Sequence, residues 1–299
     1  MSVFNCRPLT PVLGAEVSGV DLTAQLPPDV VARLREAVLR HKMLVFRDQP
    51  MDDERQVALT RAFGGVTPAH PIAKGLTATP AVLRSVLSED RPNLVESDGG
   101  LFGGAAPRRI RTEWHIDITF MANPTAFTLL RGVQIPPAGG DTLFADLESL
   151  YKGLSPSLRG YLDTLQAVHA RPDASGTGTL AALHPLVRVH PETGARTLLI
   201  STIFMHGIRG LKPRESAALI DFLLDELAGR DEIHARVRWE PDTLVMWDNR
   251  AVAHAGPVDG LMFSDERIVH RTTVVGDLPK SPDGFVSRSL KGGLFEAIA

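Results

Sequence analysis

The stretch Trp114-His115-Ile116-Asp117-Ile118-Thr119-Phe120 places a histidine and an aspartate one residue apart. On a β-strand, side chains at i and i+2 share a face, so His115 and Asp117 would aim into one cavity with Ile116 turned away. An imidazole and a carboxylate so placed are two of the ligands of a 2-His-1-carboxylate facial triad, which suits a non-haem Fe(II) that reacts with O2. The pair alone is unspecific, since a chain with 10 histidines should show roughly one His-x-Asp by chance. A second histidine must come from elsewhere. His254 ends Trp247-Asp248-Asn249-Arg250-Ala251-Val252-Ala253-His254, an apolar strand followed by a polar turn; an ordinary turn histidine fits the same pattern. In Arg267-Ile268-Val269-His270-Arg271 two arginines share a strand face, about 13 Å apart at roughly 3.3 Å per residue. Facing inward they need anionic partners, because an unpaired buried guanidinium is costly, and their planar forks match carboxylate, sulfonate or sulfate. Facing outward they are ordinary solvated arginines.

Composition indicates which elements hold these residues. With 22 prolines, 26 glycines and short strand-like segments, the sequence reads as β-rich with many turns rather than as a helical bundle. A formal net charge of −3 gives no nucleic-acid footprint. One cysteine, Cys6, excludes an internal disulfide and a cysteine-based zinc site. No basic and apolar leader opens the sequence, and no apolar run approaches the ~20 residues of a membrane span, so a cytoplasmic protein with no membrane partner is expected.

Apolar residues at helical spacing predict helices over 28–41, 52–63, 146–152, 156–164 and 213–228. A short strand pair is expected within 3–22. Further strands are expected at 43–46, 81–87, 114–120, 127–133, 141–145, 166–170 and 267–275, with hairpins pairing 186–189 to 197–200 and 237–239 to 243–247. Strands cluster from 110 to 275 with helices in front and as insertions, the pattern of a mainly β sandwich or jelly roll with peripheral helices. Residues 66–113 are poorly patterned and include a glycine-rich run from Asp98 to Ala106; such a stretch reads as a loop over the site or as a disordered segment. No repeat or linker divides the chain, and one domain over 1–299 is expected.

Taken in order, W-H-I-D-I-T-F at 114–120, G-G-D-T at 139–142, W-D-N-R-x3-H at 247–254 and R-I-V-H-R at 267–271 resemble the TauD/TfdA family of Fe(II)- and 2-oxoglutarate-dependent dioxygenases. The segments Gly14 to Leu22 and His41 to Arg47 are similar to the family's front, and the resemblance covers roughly residues 7–279. It implies a double-stranded β-helix (jelly roll). It implies His115, Asp117 and His254 as iron ligands, Thr142 and Arg267 on the distal carboxylate of 2-oxoglutarate, and Arg271 on the sulfonate or sulfate of the substrate, with His70 and Phe204 in the same pocket. O2 is then the other cosubstrate, and succinate and CO2 are the co-products of substrate hydroxylation. Related halogenases carry a small residue at the position of Asp117, so its presence implies oxygenation. The iron dication, Asp117, the 2-oxoglutarate dianion and Arg267 cancel in charge, which leaves Arg271 calling for a small anionic substrate: a sulfonate, a sulfate ester or a carboxylate. Family members are commonly dimers or tetramers, so a homo-oligomer is expected.

The sequence also departs from the pattern. Ala73 stands where the taurine enzyme has a tyrosine, and Arg111 where it has a polar amide; Arg111 could add a second positive charge, but it reads first as a solvated arginine. The stretch before His115 is long and glycine-rich, and the lid between His169 and His184 is short. Loops about 71–113 and 171–183 are therefore expected to set the substrate, with taurine a poor one. Other readings of the same residues are a biosynthetic oxygenase acting on an amino-acid-like or other carboxylate, a non-catalytic metal-binding jelly roll, and a zinc hydrolase on the same ligands. The cosubstrate pair Thr142 and Arg267 has no use in a mere binding protein.

Overall fold

The computed structural model describes residues 4–87, 113–256 and 265–298. The chain opens with the antiparallel pair β1 (Asn5–Pro8) and β2 (Ala15–Ser18). α1 (Pro28–His41) buries Val30, Leu34 and Val38 along one face and stops at Lys42, whose left-handed backbone lets its N–H cap the Val38 carbonyl. β3 (Met43–Phe46), α2 (Asp53–Arg61) and β4 (Leu83–Leu87) follow. α2 starts where the Asp52 carboxylate accepts the Arg55 N–H at 2.7 Å. Then come β5 (Phe127–Gln134), β6 (Thr142–Asp146), α3 (Leu147–Gly153) and α4 (Pro156–Leu162). Next are β7 (Gln166–Pro172), β8 (Thr179–Pro185), β9 (Val187–Val189), β10 (Arg196–Leu198), β11 (Met205–Ile208) and α5 (Pro213–Gly229). The last are β12 (His234–Val237), β13 (Leu244–Asp248), β14 (Val252–Ala255), β15 (Arg267–Thr273) and β16 (Arg288–Lys291).

A seven-stranded sheet runs β1-β2-β3-β13-β5-β15-β4, antiparallel except for β2 against β3. It faces a three-stranded sheet, β12-β6-β14. The layer between them holds Leu130, Phe144, Val237, Trp247, Val252 and Val269. The other face of the large sheet packs Leu44, Phe46, Leu129, Leu244 and Met246 against Leu34 and Val38 of α1 and Leu59 of α2. Alternate residues of β3, β5 and β13 thus enter two different cores, which is why these strands read as unbroken apolar runs. The architecture is mainly β with peripheral helices, the jelly roll expected.

Several elements differ from expectation. Segments 237–239 and 243–247 do not form a hairpin. β12 pairs with β6, and β13 with β3 and β5, so Glu240 to Asp242 crosses between sheets. Alternation reports which face is buried, not which strand is the partner. The strands β8, β11, β14 and β16 were not anticipated, and His254 lies in β14 rather than in a turn.

The expected lid between His169 and His184 is mostly the β7–β8 hairpin. Its turn is held by the Asp173 carboxylate, which accepts from the Ser175 N–H at 2.9 Å and the Gly178 N–H at 3.3 Å. Both histidines are buried and fix the end of the metal motif. His184 Nε2 donates to the Thr119 carbonyl at 2.7 Å, and His169 Nδ1 pairs with the Thr119 hydroxyl at 2.9 Å. Burial pushes His184 down to about 4 and His169 well below its ordinary value. Such a histidine gains a proton on unfolding, so its stability contribution is complete above an unfolded value of ~6.5 and is lost as pH falls towards the folded one. The metal-free chain should lose up to about 1.4 kcal/mol per pH unit per histidine in that window, and His184→Asn should flatten the slope in urea unfolding at pH 7 and pH 5.

Candidate active site

His115 forms an isolated antiparallel bridge with His254, each N–H donating to the other's carbonyl at 2.9 Å. This bridge adds one residue to the free edge of β14. The expected strand over 114–120 is thus limited to this one bridge, and residues 117–120 turn away. The alternation still holds where it matters, since Ile116 packs into the helical core behind the site. Ile118 is left-handed at φ 58°, a conformation that costs a β-branched residue roughly 1–3 kcal/mol. Its buried contacts with Phe120, Met121, Phe204 and Phe295 offset that cost.

The ligand-capable atoms of His115, Asp117 and His254 lie within 4.8 Å of one another. Their chemistry fits a divalent metal. The His115 Nδ1–H donates to the Glu113 carbonyl at 2.8 Å, which leaves the Nε2 lone pair for the metal. Burial, then the neighbouring His115, push His254 down to about 3, so its ring is a neutral imidazole. His254 Nε2 lies 3.8 Å from Asp117 Oδ1. Burial works to raise the Asp117 carboxyl, but the Arg271 guanidinium and the two imidazoles, helped by the Thr128 hydroxyl, hold it well below the usual carboxylate range.

Asp117 is fixed from two sides. Arg271 Nη1 donates to Oδ1 at 2.9 Å, and the Thr128 hydroxyl donates to Oδ2 at 2.7 Å. Thr128 in turn accepts from Asn249 Nδ2 at 2.7 Å, and Asn249 Oδ1 accepts from the Trp247 indole at 3.0 Å. The W-D-N-R motif therefore reaches the carboxylate ligand through one hydroxyl. Its other half shapes the turn before β14. Arg250 forks onto Asp248 at 2.8 and 2.7 Å and also holds Glu192 at 2.7 Å, while His190 holds Asp248 at 3.0 Å. Thr128→Val should weaken Fe(II) binding about 10- to 100-fold, the usual effect of losing an outer partner of a ligand. Titration of the metal-free protein under argon measures it, with the fold checked by thermal unfolding.

β15 carries both arginines inward. The bulge beside it lies on β5, since Ile268 and Val269 face Gln134 and Gly132, while pairing with β4 is unbroken. Arg267 is buried. Its Nη2 meets the Thr142 hydroxyl at 3.3 Å, and its guanidinium lies 5.4 Å from the Trp239 ring centre. The Trp239 indole N–H donates to the same hydroxyl at 3.0 Å. With both lone pairs taken by donors, the Thr142 proton is left to point at an acceptor. A cation beside an outward hydroxyl is an arrangement that can receive a carboxylate.

Near the metal ligands stand the remaining expected residues. The Phe204 ring meets His115 edge-on at 6.2 Å and Phe120 at 5.0 Å, and the His70 ring lies 5.9 Å from Phe120. His70 is pushed down to about 3, first by burial and then by Arg271 and Arg171. Its Nδ1 accepts the Ile72 N–H at 3.2 Å, so the neutral ring offers Nε2–H as a donor. His70, Phe204 and Arg271 thus stand with His115, Asp117 and His254, while Thr142 and Arg267 form a second group with Trp239. Arg111 lies outside the described residues, as does most of the glycine-rich stretch before His115. Thr128, Asn249, Trp239 and Arg171 were not anticipated as site residues. Of these, only Asn249 had a signal, its place inside the W-D-N-R motif.

A family model described as "Taurine catabolism dioxygenase TauD, TfdA family" matches residues 5–273. An alpha-ketoglutarate-dependent sulfate ester dioxygenase of Pseudomonas putida is 32% identical, over 97% of this chain and 95% of its own. The (S)-phenoxypropionate/alpha-ketoglutarate-dioxygenase of Sphingobium herbicidovorans is 30% identical over 92% of this chain and 96% of its own. A crystal structure of a taurine dioxygenase from Burkholderia xenovorans superposes with a TM-score of 0.85 at 40% identity, covering 97% of this chain and 95% of that one. No helix among the described residues is long and apolar enough to cross a membrane. Sequence motifs, jelly-roll architecture and these matches agree across the chain: it belongs to the TauD/TfdA family and is a 2-oxoglutarate (alpha-ketoglutarate)-dependent dioxygenase.

Proposed function

We propose that His115, Asp117 and His254 hold one Fe(II), that Thr142 and Arg267 hold the distal carboxylate of 2-oxoglutarate, and that Arg271, with His70 and Phe204, receives the acidic group of a small organic anion that is hydroxylated. The observation that carries this reading is the convergence of two imidazoles and one carboxylate within 4.8 Å, in a buried site flanked by inward-facing arginines of β15. Bound iron supplies the coupling between O2, oxidative decarboxylation of 2-oxoglutarate to succinate and CO2, and oxidation of a substrate C–H bond.

The protein's own part is placement and charge. The His115–His254 bridge and Thr128 hold the ligand atoms, and Arg267 with Thr142 orients the cosubstrate. The iron dication, Asp117, the 2-oxoglutarate dianion and Arg267 cancel, which leaves Arg271 as a positive charge that is largely buried. Sulfate esters and phenoxypropionate, named for the relatives, are both anions. The alternatives of a binding protein or a zinc hydrolase give no role to Thr142 and Arg267. The chain acts as a single catalytic domain that assembles as a homodimer or homotetramer, which light scattering distinguishes from a monomer.

The test has two stages. Fe(II) and 2-oxoglutarate are added without oxygen, and the weak visible charge-transfer band of a chelated cosubstrate is expected. O2 is then admitted with alkyl sulfates, sulfonates and aryloxy carboxylates, and succinate is measured. No band, and no succinate formation stimulated by any of the anions, would sink the proposal.

A further inference from the structure

A second cation stands at this pocket. Arg171 is near the end of β7, opposite Leu180 in the hairpin. The residue before it is pinned on both sides: the Ala170 N–H donates to the Phe204 carbonyl at 2.9 Å, and His206 Nε2 to the Ala170 carbonyl at 3.1 Å. The half-buried Arg171 guanidinium lies over two rings, 5.9 Å from the centre of Phe120 and 5.8 Å from that of Phe204. These are the rings that face His70 and His115. Ring faces orient a guanidinium but do not neutralise it. Among the described residues no carboxylate lies within ion-pair distance of Arg171, whereas Arg271 has Asp117. Burial and the charge of Arg271 both lower Arg171 from its ordinary value, and both guanidiniums act on His70. The two arginines therefore share one electrostatic field.

Arg171 changes the charge count. Once metal, carboxylate ligand, cosubstrate and Arg267 have cancelled, two positive charges face the pocket rather than one. A monoanion on Arg271 leaves the second unanswered, and a half-buried unanswered charge favours the ligand that completes it. We infer that the substrate is a dianion with two acidic groups, one received by Arg271 and the other by Arg171, which stands on the aromatic wall formed by Phe120 and Phe204. This deepens the proposed function and rests on it.

The test uses matched ligands on the anaerobic protein loaded with Fe(II) and 2-oxoglutarate. Plain n-alkanesulfonates are compared with ω-carboxyalkanesulfonates of the same chain length, spanning about two to six carbons, and dissociation constants are read from the perturbation of the visible band. In the wild type, the best carboxylated member should bind at least about tenfold more tightly than its plain partner, the scale of one charge-assisted hydrogen bond. Arg171→Gln should remove that preference, costing the carboxylated sulfonate more affinity than the plain one, and Arg171→Lys should restore part of it. The unperturbed band in both variants shows that they fold and load. No preference for any carboxylated member in the wild type, or a preference that survives Arg171→Gln, overturns the inference while the proposed function stands. Failure of the wild type to form the band overturns both.

Discussion

Replacing Asp117 by alanine should lower succinate formation by at least about a thousandfold, equal to roughly 4 kcal/mol of transition-state stabilisation. The loss has two sources that can be separated. One is the missing ligand, read as Fe(II) content after dialysis and as absence of the visible band. The other is structural, because Asp117 is the anion that pairs with Arg271 at 2.9 Å, and the Arg271 side chain is only 15% exposed. Removing one partner of a buried pair leaves an uncompensated charge, at a cost of about 3–5 kcal/mol. Asp117→Ala should therefore also unfold more readily without metal. A double variant, Asp117→Ala with Arg271→Met, should regain most of that stability and none of the activity. Activity in the single variant that follows its folded fraction would mean that Asp117 is merely structural.

Arg267→Ala should raise the 2-oxoglutarate concentration needed for half-maximal rate by about a hundredfold or more, corresponding to roughly 2.7 kcal/mol. Thr142 receives the Trp239 indole at 3.0 Å and Arg267 at 3.3 Å, which turns its own proton outward beside a fixed cation. Without the cation, the hydroxyl alone must hold a carboxylate. Arg267→Lys should recover only part of the loss, because an ammonium group cannot present two parallel donors. Anaerobic titration of the visible band with 2-oxoglutarate measures binding directly. An unchanged affinity would place the distal carboxylate elsewhere.

The candidate site residues were legible in the sequence by chemical type. His115, Asp117, His254, Arg267 and Arg271 are costly to bury without a purpose, so their spacing carries information. Helices such as α1 were legible because one face is apolar at a helical period and Pro28 with Asp29 suits a helix start. The supporting contacts were not. Thr128, Asn249 and Trp239 act across strands that are far apart in the chain, and such residue types are common everywhere. Arg171 looked like the edge of a lid because nothing local reveals that its strand returns beside Phe204. The short stretch around Asp117 was misread for a related reason. Alternation from His115 to Asp117 is right, but the left-handed turn at Ile118 goes against the preference of a β-branched residue, and only the packing around it makes that possible.

The ion pair between Arg271 and Asp117 has a thermodynamic consequence. Without a metal, Arg271 is the counter-ion that makes the buried carboxylate tolerable, and it is engaged. In the proposed site a dication at the ligand atoms would take over that duty and leave the guanidinium for an incoming anion. Occupancy of the metal site and affinity for the substrate anion are then positively linked, and linkage is reciprocal. With the proposed roles, the metal-free protein would bind the substrate anion less tightly, and a bound anion would raise the affinity for iron by the same free energy. One arginine would thus make the order of assembly a property of equilibrium rather than of access.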